Sequence, residues 1–169
     1  RRSRRSKRSM KETDPYIAAL ITLHLGLERQ GPGDEQCSRE ILAQLPALSE
    51  TPLILDAGCG TGGATFLLAA QYPLARVVAI DLSKAFLDTL RQEAVQRGFE
   101  HRIRCVHADM LQPAVPAESL DLIWSEGAVY AVGFEHALRH WKGLLKPYGI
   151  VVVSEMSWFT RQPDPAALA

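Results

Sequence analysis

This sequence contains few cysteines and no long hydrophobic run, and each scarcity excludes a class of protein. The three cysteines, Cys37, Cys59 and Cys105, are far apart and form no C-x-x-C pair. Their spacing argues against a disulfide framework and a thiolate zinc site and favours a reducing compartment, so we expect a cytoplasmic protein. The longest apolar run, residues 17–27, is too short to span a bilayer, so no membrane partner is expected.

The chain also lacks net charge, but its charges are unevenly distributed. Residues 1–9 (RRSRRSKRS) hold six basic residues and no acidic or apolar one, which leaves 13 basic and 19 acidic residues in 10–169. This acidic remainder is not expected to bind nucleic acid. The tail is either a basic arm for nucleic acid or sequence upstream of a natural start at Met10, and we favour the second interpretation. Residues 1–9 are predicted to be disordered, because they have no apolar side chain to pack.

The stretch Leu53–Gly63, LILDAGCGTGG, is the most informative part of the sequence. It predicts a short buried strand from Leu53 to Leu55, a glycine turn, and a helix that begins near Ala64. Glycine is needed where a strand reverses tightly into a helix and lets a ligand approach the backbone closely. At the carboxyl edge of a parallel sheet, such a turn predicts a nucleotide site. The alternative is a glycine-rich turn without a ligand.

The glycines alone leave two ligand classes open. Gly58, Gly60 and Gly63 match the dinucleotide-binding pattern G-x-G-x-x-G, whereas Gly58, Gly60 and Gly62 match G-x-G-x-G. Asp56 favours the second pattern, because Asp-x-Gly-x-Gly-x-Gly resembles motif I of class I S-adenosylmethionine-dependent methyltransferases. A carboxylate would repel pyrophosphate but suits the ammonium and sulfonium groups of S-adenosylmethionine. An NAD(P)-dependent oxidoreductase remains the alternative.

Strands and helices alternate after this turn. Further strands are predicted at residues 77–80, 103–107, 121–124 and 150–153, and helices at residues 84–97 and 134–145. Right-handed crossovers between such strands give a parallel, doubly wound α/β sheet. Two helices are predicted earlier, one from Asp14-Pro15 to about Arg29 and one from Asp34 to Pro46. The chain therefore divides into a basic tail (1–9), N-terminal helices (10–50), a core (51–155) and an irregular C-terminal tail (156–169).

As a whole, residues 53–155 resemble a class I methyltransferase of the small-molecule type in motif order and spacing. The resemblance implies a Rossmann-like sheet of order 3-2-1-4-5, S-adenosyl-L-methionine as the cofactor and a small-molecule methyl acceptor. Asp81 ends the second strand, where an acidic residue accepts hydrogen bonds from both ribose hydroxyls. Asp109 either accepts from the adenine amino group or caps a turn before Pro113. The implied cofactor-binding residues are Asp56, Ala57, Gly58, Cys59, Gly60, Gly62, Asp81, Leu82, Asp109, Met110 and Ser125.

The segment Ser125–Tyr130 matches the family pattern S-E-G-A-[VI]-Y after the fourth strand. Glu126 is the candidate catalytic base, since it would remove the proton of a hydroxyl or amine acceptor while the enzyme aligns the reactants. Tyr130, with Glu126 the other candidate catalytic residue, and His24 are expected to line the acceptor side. Alternatively, Glu126 binds the cofactor or caps the segment that follows.

Two other features are predicted to lie outside the chemistry. His136 and His140 stand at i, i+4 on one predicted helix, a spacing that a metal could use. No third ligand is apparent in the sequence, so we favour a solvated helix face and predict no metal site. Tyr148 departs from the family pattern L-K-P-G-G, which is expected to affect a turn and not the cofactor.

The chain ends before the family pattern is complete. Complete members have seven strands, the last two forming a hairpin beside the fifth, whereas sixteen residues follow Val153, with Pro163 and Pro165 among them. We therefore expect a sheet without the last two strands, in a chain truncated at its carboxyl end. Its fifth strand would be an open edge that invites self-association. A fragment that binds S-adenosylmethionine without turnover is thus a second alternative.

Overall fold

The computed structural model describes residues 15–24, 27 and 34–155 of the chain. The helices of this part are α1 (Pro15–His24), α2 (Glu35–Gln44), α3 (Gly63–Gln71), α4 (Lys84–Gln96) and α5 (Phe134–Trp141), with a 3-10 turn at Val129–Ala131. The strands are β1 (Leu53–Ala57), β2 (Arg76–Asp81), β3 (Ile103–His107), β4 (Leu120–Glu126) and β5 (Leu145–Ser154). The predicted Asp14 cap, the predicted end of the first helix near Arg29 and both chain tails lie outside the described residues.

The five strands form one parallel sheet in the order β3-β2-β1-β4-β5. This result confirms the predicted doubly wound α/β class and the strand order. At the centre of the sheet, Asp56 of β1 lies beside Ala79 of β2 and Trp124 of β4. Because all the strands are parallel, their carboxyl ends share one edge of the sheet, and the loops that follow them meet there.

Helices cover both faces of the sheet, and the alternation of side chains along each strand decides which face each residue contacts. Ile54 belongs to a core cluster with residues of α2, α3 and α4, whereas the next residue, Leu55, belongs to a second cluster with residues of α5. Both side chains are fully buried. Burial on two faces therefore explains why the strands of this sheet are largely apolar.

Two helices of the described chain begin at side-chain caps, and one of them ends at a glycine. Oδ1 of Asp34 accepts a hydrogen bond from the amide of Cys37 at the start of α2. Oγ of Ser83 accepts one from the amide of Phe86 at the start of α4, and Gly98 follows the end of that helix with a φ of +72°. Each cap satisfies backbone groups that have no partner within the helix.

The segment between α5 and β5 differs from the prediction. The helix ends at Trp141 and not at Leu145, which already pairs with Leu120 as the first residue of β5. Pairing then resumes between Leu122 and Ile150, so the predicted turn is a bulge within the strand. The strand therefore begins before the predicted residue 150. Phe134 is 53% exposed because it is the first residue of this helix.

The ends of β1 and β4 also extend further than predicted. β1 continues to Ala57, and β4 begins at Leu120 and continues to Glu126. Ser125 and Glu126 therefore belong to the strand and not to the loop after it. Their side chains consequently have fixed directions on the sheet, since neighbouring residues of a strand point to opposite faces.

β5 is the outer strand of the sheet within the described residues. Self-association through this edge stays a prediction. None of the helices in the described ranges is long and apolar enough to cross a membrane.

Candidate active site

Three segments that are distant in sequence meet at Gly58. A Cβ atom added to this glycine would lie 2.3 Å from Cβ of Ala128 and 3.3 Å from Cε of Met110. Its φ of +79° is also one that side-chain-bearing residues rarely adopt. Gly58 therefore brings the glycine turn against the loop after β3 and the loop after β4. These are the three loops in which the sequence predicted site residues.

Asp81 at the end of β2 is tied to the same turn. Its Oδ2 accepts a hydrogen bond of 2.9 Å from the amide of Gly60, and its Oδ1 accepts one of 2.8 Å from the amide of Ser83. Burial raises the pKa of the Asp81 carboxyl, and the backbone amides and the nearby His107 oppose that shift. The carboxylate thus stands, half-buried, at the edge where the predicted ribose site lies.

The carboxylate of Asp56 lies deeper than the glycine turn. Asp56 is 1% exposed, and its Oδ2 accepts a hydrogen bond from the hydroxyl of Thr65 on α3. This bond joins the end of β1 to the first turn of the helix. Asp56 therefore helps to hold the shape of the glycine turn. Its direct contact with a cationic ligand stays a prediction.

Two other residues of the turn are fixed by packing. Gly62 precedes α3 with a φ of +104°, and an added Cβ would lie 2.8 Å from Cγ of Leu90. Cys59 is buried, and burial, reinforced by the charges of Asp56 and Asp81, raises the pKa of its thiol well above the usual range. The thiol is therefore protonated at neutral pH and is no nucleophile. Cofactor contacts of both residues stay predictions.

The loop after β3 is held by its own aspartate and by α5. Oδ1 of Asp109 accepts from the amide of Leu111 at 2.9 Å, which is the turn-capping contact considered as the alternative. The indole of Trp141 donates to the carbonyl oxygen of Met110 at 3.0 Å. The capping bond uses one lone pair of one carboxylate oxygen, so it is compatible with the predicted adenine contact, which stays a prediction.

Ser125 joins two strands at the centre of the sheet. Its hydroxyl is fully buried and donates to the carbonyl oxygen of Ala57 at 2.7 Å. This bond fixes the ends of β1 and β4 relative to each other. Leu82, by contrast, is 38% exposed, and its carbonyl oxygen lies 2.9 Å from Nε2 of His107. Ala57 and Ser125 are therefore buried at the carboxyl ends of β1 and β4, whereas Leu82 is exposed.

Within the described part of the chain, an indole and a hydroxyl donate to Glu126 at the end of β4. Its Oε1 accepts a hydrogen bond of 2.8 Å from the indole of Trp124 and one of 2.7 Å from the hydroxyl of Ser38 on α2. Tyr130 lies in the 3-10 turn beyond it, with its side chain 72% exposed and its amide donating to Glu155. His24 is the last residue of α1 and is half-buried. The catalytic roles of Glu126 and Tyr130 stay predictions.

Sequence reasoning missed two contributors to the site. Ser38 stands one turn before the buried Leu42 on α2, so its helical spacing indicated the inward face. Trp124 was assigned only to the strand, although a buried indole N–H needs an acceptor and Glu126 stands two residues on, on the same face.

The two histidines of α5 stack edge to face, with ring centroids 4.3 Å apart, and Nδ1 of His140 lies 2.9 Å from the carbonyl oxygen of His136. Among the residues that the structure describes, no group of three or more His, Cys, Asp or Glu side chains is placed to hold a metal ion.

Comparison with known proteins identifies the family. Residues 54–149, more than half of the chain, match the model of a methyltransferase domain family. The chain belongs to this methyltransferase domain family. The predicted class, the class I S-adenosylmethionine-dependent methyltransferases, is confirmed, and this membership decides against the oxidoreductase alternative. The cofactor predicted from the same motifs, S-adenosylmethionine, is the one for which the class is named.

Two curated methyltransferases resemble this methyltransferase domain at 34% identity. One is trans-aconitate 2-methyltransferase of Enterobacter sp. (strain 638), matched over 79% of this chain and 48% of that protein. The other is malonyl-[acyl-carrier protein] O-methyltransferase of Methylovorus sp. (strain MP688), matched over 61% of this chain and 36% of that protein. The match thus spans between about a third and a half of the length of these two relatives.

A solved structure shares the fold. Geranyl diphosphate C-methyltransferase from Streptomyces coelicolor A3(2), in complex with Mg2+, geranyl diphosphate and S-adenosyl-L-homocysteine, superposes on the methyltransferase domain with a TM-score of 0.65. The match covers 70% of this chain and 45% of that one at 22% identity.

Proposed function

We propose that this methyltransferase domain binds S-adenosyl-L-methionine at the carboxyl ends of β1 to β4 and transfers its methyl group to a small-molecule acceptor. The observation that carries the proposal is the meeting of three loops at Gly58, with Ala128 and Met110 against it. Replacing Gly58 with any residue that has a side chain would push these loops apart. Family membership supplies the cofactor class, and the convergence supports one continuous site.

The residues at this edge fit the cofactor chemically. The Asp81 carboxylate is an acceptor of the kind that two ribose hydroxyls need, and the bond from Gly60 holds it beside the glycine turn. Asp109 offers a carboxylate acceptor for an adenine amino group, in a loop fixed by Trp141. When bound, S-adenosylmethionine supplies an electrophilic methyl group on its sulfonium.

This chain's own residues would then align the acceptor and exclude water, since proximity and alignment dominate such a transfer. Glu126 is the proposed base for an acceptor hydroxyl or amine. Its Oε1 accepts hydrogen bonds from Trp124 and Ser38 at the end of β4. Tyr130, exposed in the next turn, is proposed to line the acceptor side.

The test is the release of S-adenosylhomocysteine from S-adenosylmethionine on a panel of acceptors. The panel includes trans-aconitate, because a relative is named for it, together with small hydroxyl and amine compounds. We expect product with at least one acceptor, and Glu126→Gln to lower turnover by ~10²-fold or more while cofactor affinity is kept. Glu135→Gln, an exposed substitution on α5, is the matched control and should change neither quantity.

Two outcomes separate the proposal from its rival. If Glu126→Gln lost cofactor affinity together with turnover, Glu126 would belong to the cofactor site. If the chain bound S-adenosylmethionine and released no product with any acceptor, it would be a binding fragment without turnover. The match covers only part of the length of these relatives, so binding without turnover has to be tested as well.

A further inference from the structure

The hydroxyl of Ser38 makes an unexpected contact across the site. It lies 2.7 Å from Oε1 of Glu126, although the two residues are 88 positions apart in the sequence. Ser38 is 3% exposed, and α2, which carries it, precedes every element of the methyltransferase core. A buried hydroxyl aimed at a carboxylate is a strong contact, because hydrogen bonds to charged groups stabilise more than neutral ones.

A competing acceptor exists within the helix. The Ser38 hydroxyl also lies 3.2 Å from the carbonyl oxygen of Asp34, one turn earlier. A serine has a single hydroxyl proton, so it donates fully to one acceptor at a time. The carboxylate oxygen is closer than the carbonyl oxygen and carries negative charge. We therefore infer that the Ser38 hydroxyl donates to Glu126.

The second donor fixes the same oxygen. The indole of Trp124 donates to Oε1 across 2.8 Å, and an indole N–H can only donate. Trp124 is fully buried and packs in the same core cluster as Leu42, one turn beyond Ser38 on α2. The two donors are therefore anchored in one packed unit, and together they restrict the rotamers of the Glu126 side chain.

We propose that Ser38 is a positioning residue that, together with Trp124, fixes the Glu126 carboxylate at the acceptor side of the site. The geometry stands without the proposed methyl transfer, whereas the catalytic consequence rests on it. α2 is thus a wall of the active site and not only a cover for the sheet. Loss of the Ser38 hydroxyl should leave Glu126 mobile, with turnover reduced about tenfold and cofactor affinity unchanged.

The deciding readout is the indole N–H resonance of Trp124 in the 15N-labelled chain, assigned with Trp124→Phe. We expect Ser38→Ala to move this resonance, because Oε1 of Glu126 is its acceptor, and Ser38→Thr to restore it. Cys37→Ala, an exposed change on the same turn of α2, should leave it in place. In a Glu126→Gln background, Ser38→Ala should have much less effect on the resonance, since Ser38 acts through the carboxylate. If Ser38→Ala fails to fold, Ser38→Cys, of similar volume and with a weaker donor, takes its place.

An unmoved resonance in folded Ser38→Ala or Ser38→Cys would overturn the proposal. So would an equal shift in Cys37→Ala, or an unreduced effect of Ser38→Ala in the Glu126→Gln background. S-adenosylhomocysteine release is then measured with the acceptors described above. If wild type releases none, the proposed function fails, but the indole resonance still decides whether Ser38 positions Glu126.

Discussion

The main-chain amide of Gly60 donates a hydrogen bond to Oδ2 of Asp81 across 2.9 Å. This bond joins the glycine turn after β1 to the acid at the end of β2, so two motifs that are 21 residues apart act as one unit. The bond orients the carboxylate at the sheet edge, as the proposed ribose site requires.

The first prediction concerns this carboxylate. Asp81→Ala should weaken S-adenosylmethionine binding about tenfold or more, because charge-assisted bonds to the ribose worth ~1.5–3 kcal/mol are lost. Calorimetry measures the affinity. Asp88→Asn, a change at an exposed aspartate of α4, is the control and should bind like wild type. Equal affinity in Asp81→Ala and wild type would remove the ribose role.

The second prediction is a pH dependence of cofactor affinity. Burial raises the pKa of Asp81 above the usual aspartate range, so this carboxylate takes up a proton earlier on acidification than an ordinary one. A neutral carboxyl accepts hydrogen bonds more weakly than a carboxylate. Affinity should therefore be constant near neutral pH and fall as the pH is lowered through the raised pKa.

Asp81→Asn isolates this effect from other titrations. The titratable neighbours of Asp81 include His107 and Cys59. Because asparagine does not titrate, the affinity of this variant should not show the decrease at low pH that protonation of Asp81 causes. An identical pH profile in Asp81→Asn and wild type would assign the dependence to another group.

The third prediction concerns stability at the amino-terminal ends of the strands, opposite the proposed site. Oδ2 of Asp121 accepts from Lys146 at 2.6 Å and from the amide of Leu53 at 2.8 Å. Burial raises the pKa of Asp121, but Lys146, the Leu53 amide and the Ser49 hydroxyl together hold it below the usual range. Since the folded-state pKa is lowered, this stabilisation is present above the pKa of the unfolded state and is lost as the pH falls through the folded one.

Asp121→Asn should accordingly lower the free energy of unfolding at neutral pH by about 1–2 kcal/mol, less than for a deeply buried pair because Lys146 is partly exposed. Urea unfolding at several pH values measures the change. Its effect should shrink on acidification, and a difference that stayed constant with pH would contradict the assignment.

The fourth prediction uses the bulge in β5. Tyr148 has a φ of +67° and a fully exposed side chain, so it carries backbone strain without packing in return. Tyr148→Gly should raise the free energy of unfolding by up to about 1 kcal/mol and the melting temperature by about 2–4 °C. Gly149→Ala should do the reverse, because its Cβ would lie 2.9 Å from the carbonyl oxygen of Leu120.

Gly143→Ala is the matched control for both changes, since an added Cβ would meet no atom of the described residues within 4 Å apart from its chain neighbours. We expect a stability within about 0.5 kcal/mol of wild type for it. A Tyr148→Gly variant less stable than wild type would mean that the bulge is not strained.

Much of the fold followed from the sequence, because strand and cap signals are local. Residues 103–107 formed the predicted strand, and Ser83 and Gly98 bounded the predicted helix. The bulge at Tyr148 was not predicted, since it depends on the pairing of β5 with β4. Local periodicity could not show where α5 ends, because the core positions continued past Trp141.

The site was predictable in its motifs but not in its contacts. The glycine turn and Asp81 could be recognised because a tight strand-to-helix turn and an acid at a strand end are features of short stretches of sequence. The contact from Ser38 to Glu126 joins distant segments, and a single sequence carries no signal for such a pair. The packing of Ala128 against Gly58 likewise appears only once β1 and β4 are neighbours.

One titration tests the central claim most directly: calorimetry of S-adenosylmethionine into this chain, with NAD+ titrated in parallel. We predict single-site binding of S-adenosylmethionine, and no binding of NAD+ at that site, because the carboxylate of Asp56 at the end of β1 would repel the pyrophosphate of NAD+. A folded chain that gave no binding heat with S-adenosylmethionine, or that bound NAD+ in its place, would contradict the account.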